Sequence, residues 1–556
     1  MKRNKFIVTG IFIFIVCVAA FLRLYKLGQV PASPDWDEAA LGYNAYSILK
    51  TGKDEYGTPF PLSIRSFDDY KPPLYVYLTV PSVAVFGLHT WSVRLPSAIF
   101  GILAVVGVYF LVRELFRVKQ KGPSIFWTSE YIPLLSSFLL AISPWHLQFS
   151  RIAFEANIGV TLNIWAAYFF LRGLSSTRLF GVSAFLFGIS LYAYHSERLF
   201  APLLIIILAI AFRKTVFADK KRVSVGVIVG ILSILPLAAS LLNPTALTRL
   251  QGTSVLADQT GLLMRSVAKL EDDDRSGNVF GKIFDNRRLV WVSTLVDGYL
   301  SHFSTRWLFL DGDNPRHHAP GMGLLYIIEL PFFLWGVFQI FKKGGSVRTV
   351  LFGWICISPI AASVTTELPH SIRTLVFLPS FQIFTAVGIL SVLSKIILSF
   401  SRFVTTVFIV VFTGLFIFNI GYYLHMYYDH MDKEYSSYWQ YGYEEAVQYA
   451  QENKDKYQKV VVSTKLEQPH MFFLFFSAFD PKEYLTLGGT KSGGFRESNQ
   501  FDKFEFRPIN WSQELRDGTI LYIGSPSEMP HGNLKNIFFL DGSPAMEIAD
   551  RPGGAP

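Results

Sequence analysis

Cysteine is almost absent: Cys17 and Cys356 are the only two in 556 residues, and both lie inside apolar runs. Neither a disulfide framework nor a cysteine-built metal site is supported by so few thiols. The glycine loops that cradle nucleotide phosphates are also missing, with no GxxxxGK[ST] and no GxGxxG after a strand. An ATP-driven pump and a nucleotide-sugar enzyme built on a cytosolic dinucleotide-type domain are thereby disfavoured. Charge is scarce at 17%, and no internal repeat or low-complexity segment stands out.

Apolar residues dominate: 51% of the chain is hydrophobic, 16% aromatic, and the mean hydropathy is +0.33. Such a composition at this length points to a membrane protein. The net charge of +9 sits in short clusters between apolar runs, where membrane topology accounts for it, so nucleic acid is not an expected partner. The opening MKRNKFIVTGIFIFIVCVAAFLRLYKL has the basic and apolar parts of a signal peptide, with Val18-Ala19-Ala20 as a passable small-residue site. Its core approaches the roughly 20 residues that cross a bilayer, and the many further spans favour a retained anchor.

Apolar runs of spanning length occur near 6–26, 95–112, 131–149, 156–171, 179–194, 199–212, 223–242, 322–341, 347–364, 373–392 and 403–424, which predicts about 11 transmembrane helices. With Lys2-Arg3 inside, every second connection is basic: 113–121, 171–178, 213–222, 341–348, and Lys395 with Arg402. The run 72–88, which begins with two prolines and has Pro81 at its centre, breaks that parity if it crosses, so it reads as an interfacial or re-entrant helix. The outer face then receives loops 28–94 and 243–320 and everything after about 425. The expected organisation is a membrane domain, 1–425, followed by a small α/β domain, 426–556, outside the cell membrane. In it YEEAVQYAQENK is a helix and KVVVST, TILYIGS, NIFFLDG and AMEIAD are strands.

Pro34 to Gly57 puts Asp35, Asp37 and Glu38 within four residues, just beyond the outer end of the first span. Asp35 reads as a helix cap, AALGYNAYSILK as the helix and Gly52 as its stop. Acidic residues in a first turn complement the helix dipole and often do nothing more. A second cluster, SFDDYKPPLYVYL, brings Asp68, Asp69 and Lys71 directly before the proline-started helix. Lys71 falls at headgroup height, where an ammonium group can meet a lipid phosphate or simply snorkel. Arg94, Arg151 and Glu155 lie at outer ends of spans, where charges are usually paired or functional. His195, Glu197 and Arg198 cluster at another junction and read as an ion-pair network between helices or a substrate contact. His317 and His318, with Asp311 and Asp313 nearby, have metal-ligand chemistry but also the look of an ordinary loop, so no metal is assigned. The run EDDDR at 271–275 reads as solvated loop.

Trp36-Asp37-Glu38, Tyr70-Lys71-Pro72-Pro73-Leu74-Tyr75, Phe86-Gly87, Arg94-Leu95-Pro96-Ser97-Ala98 and Ser150-Arg151, in this order, resemble membrane glycosyltransferases of the GT-C superfamily. Within it, the branch is that of protein O-mannosyltransferases and lipid A aminoarabinose transferases. The resemblance is strongest over residues 1–200 and continues more weakly through 302–326 and 367–381. It implies an inverting transfer of a sugar from a polyprenyl-phosphate donor to a hydroxyl on a protein, a lipid or a cell-envelope glycan. Asp37 would be the general base and Glu38 an orienting or helix-capping neighbour; Lys71 would hold the donor phosphate, with Arg94 or Arg151 as a second cation. Asp69, Tyr70, Glu155, His195, Arg198 and His317 are further candidates for substrate contact. One departure concerns the aminoarabinose branch, where an acidic residue directly precedes the Lys-Pro pair; here Tyr70 does.

The chemistry is coherent without the resemblance. A sugar on a lipid phosphate already carries its leaving group, so a base for the acceptor and cations for the phosphate suffice. A single displacement needs no carboxylate nucleophile. No cofactor is expected, although a divalent ion is compatible with the superfamily. A transporter or flippase of lipid-linked sugars is the alternative, but its ionisable residues would gather near mid-membrane in two related halves, a pattern not seen here.

Overall fold

Each of the eleven apolar runs contains an α-helix among its described residues. The computed structural model describes residues 2–67, 69–117, 130–241, 260–491, 494, 498–529 and 534–551, so Asp68 lies outside the described residues. Among the described helices, six are long and apolar enough to cross a membrane: Phe6–Leu24, Thr90–Arg117, Lys220–Ala238, Gly345–Ser363, Leu375–Ser399 and Arg402–Tyr435. The other expected spans are shorter or interrupted; the run at 131–149, for instance, is split at Ser143 into Tyr131–Ile142 and Pro144–Phe149. Pro144 lacks an amide N–H and disfavours helical backbone at the residue before it, which accounts for the break.

The chain forms two compact units. The first comprises Met1–Val16, Leu103–His146 and Gly159–Asn419; the second comprises Cys17–Ile102, Leu147–Ile158 and Ile420–Pro556. This division differs from a boundary at 425/426. There is no loop at that point, because Arg402–His425 continues through a π-turn, Met426–His430, into Met431–Tyr435.

In the first unit, helices Leu330–Lys343 and Ser380–Ser399 approach until Gly336 and Gly388 meet the opposing backbone; a Cβ on either would strike the carbonyl of Phe384 or Phe332. Small residues at such crossings let apolar helices pack closely where hydrophobic burial alone gives little preference. Of the expected loop 243–320, residues 243–259 lie outside the described residues, and Thr260–Ser276, Gly281–Phe284 and Arg287–Ser301 are helical. EDDDR is therefore solvated but helical, a correction explained by its amphipathic surroundings, TGLLMRSVAKL, which carry an apolar stripe into the acidic run.

The second unit begins with the last turns of α1 (Lys2–Leu24), then α2 (Trp36–Thr51), the hairpin β1 (Ile64–Ser66) and β2 (Asp69–Lys71), α3 (Leu74–Phe86) and the start of α4 (Thr90–Arg117). As expected, Asp35 caps α2 by accepting the Glu38 N–H at 2.9 Å, and Gly52 ends it in the left-handed conformation. Most of α2 is buried. Gly42 is the point of closest approach, because a Cβ there would lie 2.7 Å from both the Phe475 ring and Val93.

The C-terminal part adds β3 (Lys459–Ser463), β4 (Asn499–Phe501), β5 (Phe504–Arg507), β6 (Ile520–Gly524), β7 (Lys535–Phe538) and β8 (Pro544–Ala549), in the sheet order β4-β5-β3-β6-β8-β7. β3 pairs in parallel with β5 and β6 while the outer pairings are antiparallel. Val460, Val461 and Val462 are fully buried, the signature of a central strand covered on both faces. The C-terminal part is tied to the 28–94 segment by connections outside the strands: the Trp36 N–H donates to Gln440 Oε1 (3.0 Å), the Tyr43 hydroxyl to the Phe479 carbonyl (3.2 Å), and the Thr490 hydroxyl to Glu55 Oε2 (2.7 Å).

Candidate active site

The three carboxylates of the opening acidic run have three different fates. Asp35 is wholly buried as the cap of α2. Glu38, 1% exposed, accepts from Arg94 Nε at 2.9 Å, from Arg94 Nη2 at 2.7 Å and from the Ala153 N–H at 2.7 Å. Asp37 remains 28% exposed and forms an ion pair with Lys71, which the hairpin presents from the end of β2. The helical spacing explains the split: neighbouring residues in a first turn point about 100° apart, so Asp37 and Glu38 face different surroundings.

Lys71 sits in a strongly negative setting. Burial disfavours its charge, but Asp37, Glu155 and Asp69 together outweigh that and hold its pKa above the ordinary lysine range. Glu155 is itself 95% buried by its surroundings, 5% exposed. Asp69 and Tyr70 are half-buried on β2, in register with Ser66 and Arg65, and Asp69 Oδ1 accepts the Tyr70 N–H. Asp37, Asp69, Lys71 and Glu155 thus form one electrostatic group.

Arg94 and Arg151 are placed differently. All the N–H groups of Arg94 are engaged: besides Glu38 they meet the carbonyls of Leu27, Pro31 and Ser33 at 2.8 to 3.2 Å. Arg151 donates to the carbonyls of Leu22, Lys26 and Val30 and to the Tyr427 hydroxyl, and its guanidinium lies over the Tyr427 and Tyr428 rings. It thereby satisfies carbonyls left open at the C-terminal end of α1 and in the turn that follows. Both guanidinium groups are fully buried. Tyr427, Tyr428 and Gln440 lie far along the chain from the residues they support, and no spacing in the sequence marks them.

His195, Arg198 and His317 belong to the first unit. Glu197, buried at the head of helix Glu197–Ala211, accepts from the Asn163 amide. In the same unit Asp313, His317 and His370 offer ligand atoms that all lie within 4.8 Å of one another. His318 instead donates from Nδ1 to its neighbour's carbonyl (2.9 Å), and Asp311 pairs with Arg306. The sequence signal for this group was present in His317 and Asp313, but His370, 53 residues further on, joins it only through the fold.

Residues 70–239 match the family model described as dolichyl-phosphate-mannose-protein mannosyltransferase. ArnT from Cupriavidus metallidurans, solved with undecaprenyl phosphate, superposes over 99% of this chain and 100% of its own at a TM-score of 0.54 and 13% identity. The chain has the GT-C fold. The oligosaccharyltransferase AglB from Archaeoglobus fulgidus, solved with an inhibitory peptide and a dolichol-phosphate, shares this GT-C fold at a TM-score of 0.52 and 12% identity, over 86% of this chain and 64% of AglB. In sequence, "Putative mannosyltransferase YycA" of Bacillus subtilis (strain 168) is 29% identical over 119 residues, 21% of this chain and 16% of that relative. The GT-C chain therefore spans about a sixth of that curated relative in alignment. The family match begins at Tyr70 and covers Lys71, Arg94, Arg151 and Glu155, whereas Asp37 and Glu38 precede it.

Proposed function

We propose that this protein is an integral-membrane glycosyltransferase that moves a sugar, with inversion, from a polyprenyl-phosphate donor to a hydroxyl acceptor at the outer face of the membrane. The observation that carries the reading is the Asp37–Lys71 pair: among the three clustered acids, Asp37 alone keeps an accessible carboxylate, and its partner is a cation suited to phosphate. The GT-C fold and the undecaprenyl phosphate and dolichol-phosphate named in the two solved structures support a lipid-carried donor.

The resting pair suggests an order of events. In the resting arrangement the Asp37 carboxylate is held by the Lys71 ammonium. Arrival of the donor, a phosphodiester with one negative charge, gives the ammonium a second anionic partner and frees the carboxylate. The acceptor oxygen then attacks the anomeric carbon as the bond to the phosphate oxygen breaks; the acceptor proton passes to Asp37, and polyprenyl phosphate leaves held by Lys71. Glu38 and Arg94 act as positioning residues that fix the first turn of α2 against the 151–155 corner. Arg151 does the same for the end of α1.

The test is to incubate the purified protein in lipid with a panel of radiolabelled polyprenyl-phosphate sugars and follow release of polyprenyl phosphate, comparing the wild type with Asp37→Asn. Turnover undiminished by that change would remove Asp37 as base. Labelled lipid that only crosses the bilayer intact would replace the enzyme reading with transport.

A further inference from the structure

Asp313, His317 and His370 belong to the first unit and are given no part in the proposed transfer. We propose that they form a binding site for a divalent transition metal of the Zn²⁺ class, with one coordination position left for water or an anionic oxygen.

The ligand chemistry comes first. Two imidazoles and one carboxylate form an N₂O set, which favours Zn²⁺, Co²⁺ or Ni²⁺ over Mg²⁺ and Ca²⁺, ions that prefer all-oxygen shells. Three protein ligands and an open fourth position are the pattern of accessible zinc sites, in contrast to closed four-ligand structural ones. Ligand atoms of a tetrahedral zinc site are about 3.4 Å apart, given metal–ligand distances near 2.0–2.2 Å. The three atoms here lie within 4.8 Å of one another, so rotations of the side chains of about 1 Å close the set without moving the backbone.

The surroundings supply the second argument. His370 is only 8% exposed, yet its Nδ1 has no hydrogen-bond partner among the described residues. A buried ring nitrogen in that state is unusual unless something occupies its lone pair. Its own backbone N–H is fixed by donation to His302 Nε2 (3.2 Å), and His302 in turn donates from Nδ1 to the Gly298 carbonyl (2.7 Å). Both nitrogens of His302 are thus engaged, which makes it scaffold and not ligand. Asp313 is oriented by Ser371, whose N–H and hydroxyl donate to its two oxygens at 2.7 and 2.9 Å, and by His317 Nδ1 at 3.1 Å. Such outer contacts hold carboxylate ligands in place in metal sites. The rings of His317 and His370 lie 5.2 Å apart, facing one another at 38°. Without an ion, the cluster is a carboxylate and two imidazoles gathered with one nitrogen left over; with one, every lone pair has a use. The ion would clasp the Asp313–His317 turn to the His370 segment, across 53 residues of chain.

The experiment uses full-length protein in lipid nanodiscs, freed of metal by chelator and then titrated with Zn²⁺ or Co²⁺ alone. The wild type is expected to retain about one Zn²⁺ per chain after gel filtration and to give the intense visible bands of tetrahedral Co²⁺. His370→Ala and His317→Ala should each weaken binding at least about tenfold, while His318→Gln, adjacent but bonded to backbone, binds as the wild type does. His370→Cys guards against loss of fold: it keeps a ligand, so it should still bind Co²⁺ and add a thiolate charge-transfer band. Retention of no metal by the wild type, or equal binding by His370→Ala, would overturn the site. Because the readout is metal content and not sugar transfer, it stands or falls separately from the role of Asp37.

Discussion

Arg94 holds Glu38 through two parallel bonds, Nε to Oε1 at 2.9 Å and Nη2 to Oε2 at 2.7 Å, with both side chains closed to solvent. Removing one member of such a pair strands a buried charge, whereas removing both together costs far less. Arg94→Met should therefore destabilise the protein by about 3–5 kcal/mol, and the double variant with Glu38→Gln should recover much of that loss. Thermal unfolding in detergent or nanodiscs measures both; a single variant as stable as the wild type would show that the pair does not anchor α2.

Asp37→Asn keeps the size of the side chain and removes its basicity. Turnover should fall about 10²- to 10⁴-fold with little change in thermal stability, since the carboxylate is partly exposed. Glu38→Gln, by contrast, should lower stability and activity together.

Lys71 is assigned to the donor phosphate, so Lys71→Met should raise the KM for the polyprenyl-phosphate sugar and weaken inhibition by free polyprenyl phosphate. A charge-assisted bond to an anion is worth about 1.5–3 kcal/mol, which corresponds to about a 10- to 100-fold loss of donor affinity. Equal inhibition of the variant and the wild type would place the phosphate elsewhere.

Glu55 gives a pH signature within the second unit. Burial pushes its pKa up to about 7, against the opposing hydrogen bonds from Thr490 and Asn44. An acid bound more tightly to its proton in the folded chain stabilises most below its ordinary value near 4.5 and loses that advantage as pH rises toward 7. The wild type should thus lose about 2–3 kcal/mol between pH 4.5 and 8 from this residue. Glu55→Gln should flatten that part of the curve, as read by melting temperature against pH.

Gly42→Ala tests how α2 is seated. A Cβ 2.7 Å from Phe475 and Val93 forces apart groups that cannot rotate away, at about 1–3 kcal/mol. An unchanged melting temperature would mean that Phe475, on helix Pro469–Phe476, and Val93 do not brace this helix.

The helical runs, the Asp35 cap, the Gly52 stop and the strands from KVVVST to AMEIAD were readable because each rests on local causes: apolar length, a capping side chain, positive-φ tolerance and β-branched runs. β4 and β5 were missed because NQF and FEFR are too short to show a period. The helical character of EDDDR was missed because charge was weighed above the apolar stripe before it.

The sequence by itself determined a chain of long apolar helices with clustered acids and a lysine near the first of them, since hydropathy, caps and residue types are properties of neighbours along the chain. Which acid stays accessible was decided only by tertiary structure. Arg94 and Ala153 withdraw Glu38, the cap withdraws Asp35, and the hairpin brings Lys71 to Asp37 across 34 residues. The same holds for the two arginines, whose carbonyl partners come from distant segments, and for His370, which meets Asp313 and His317 only once the chain has folded. Charge and ligand type are local properties, but what a charge faces depends on distant segments.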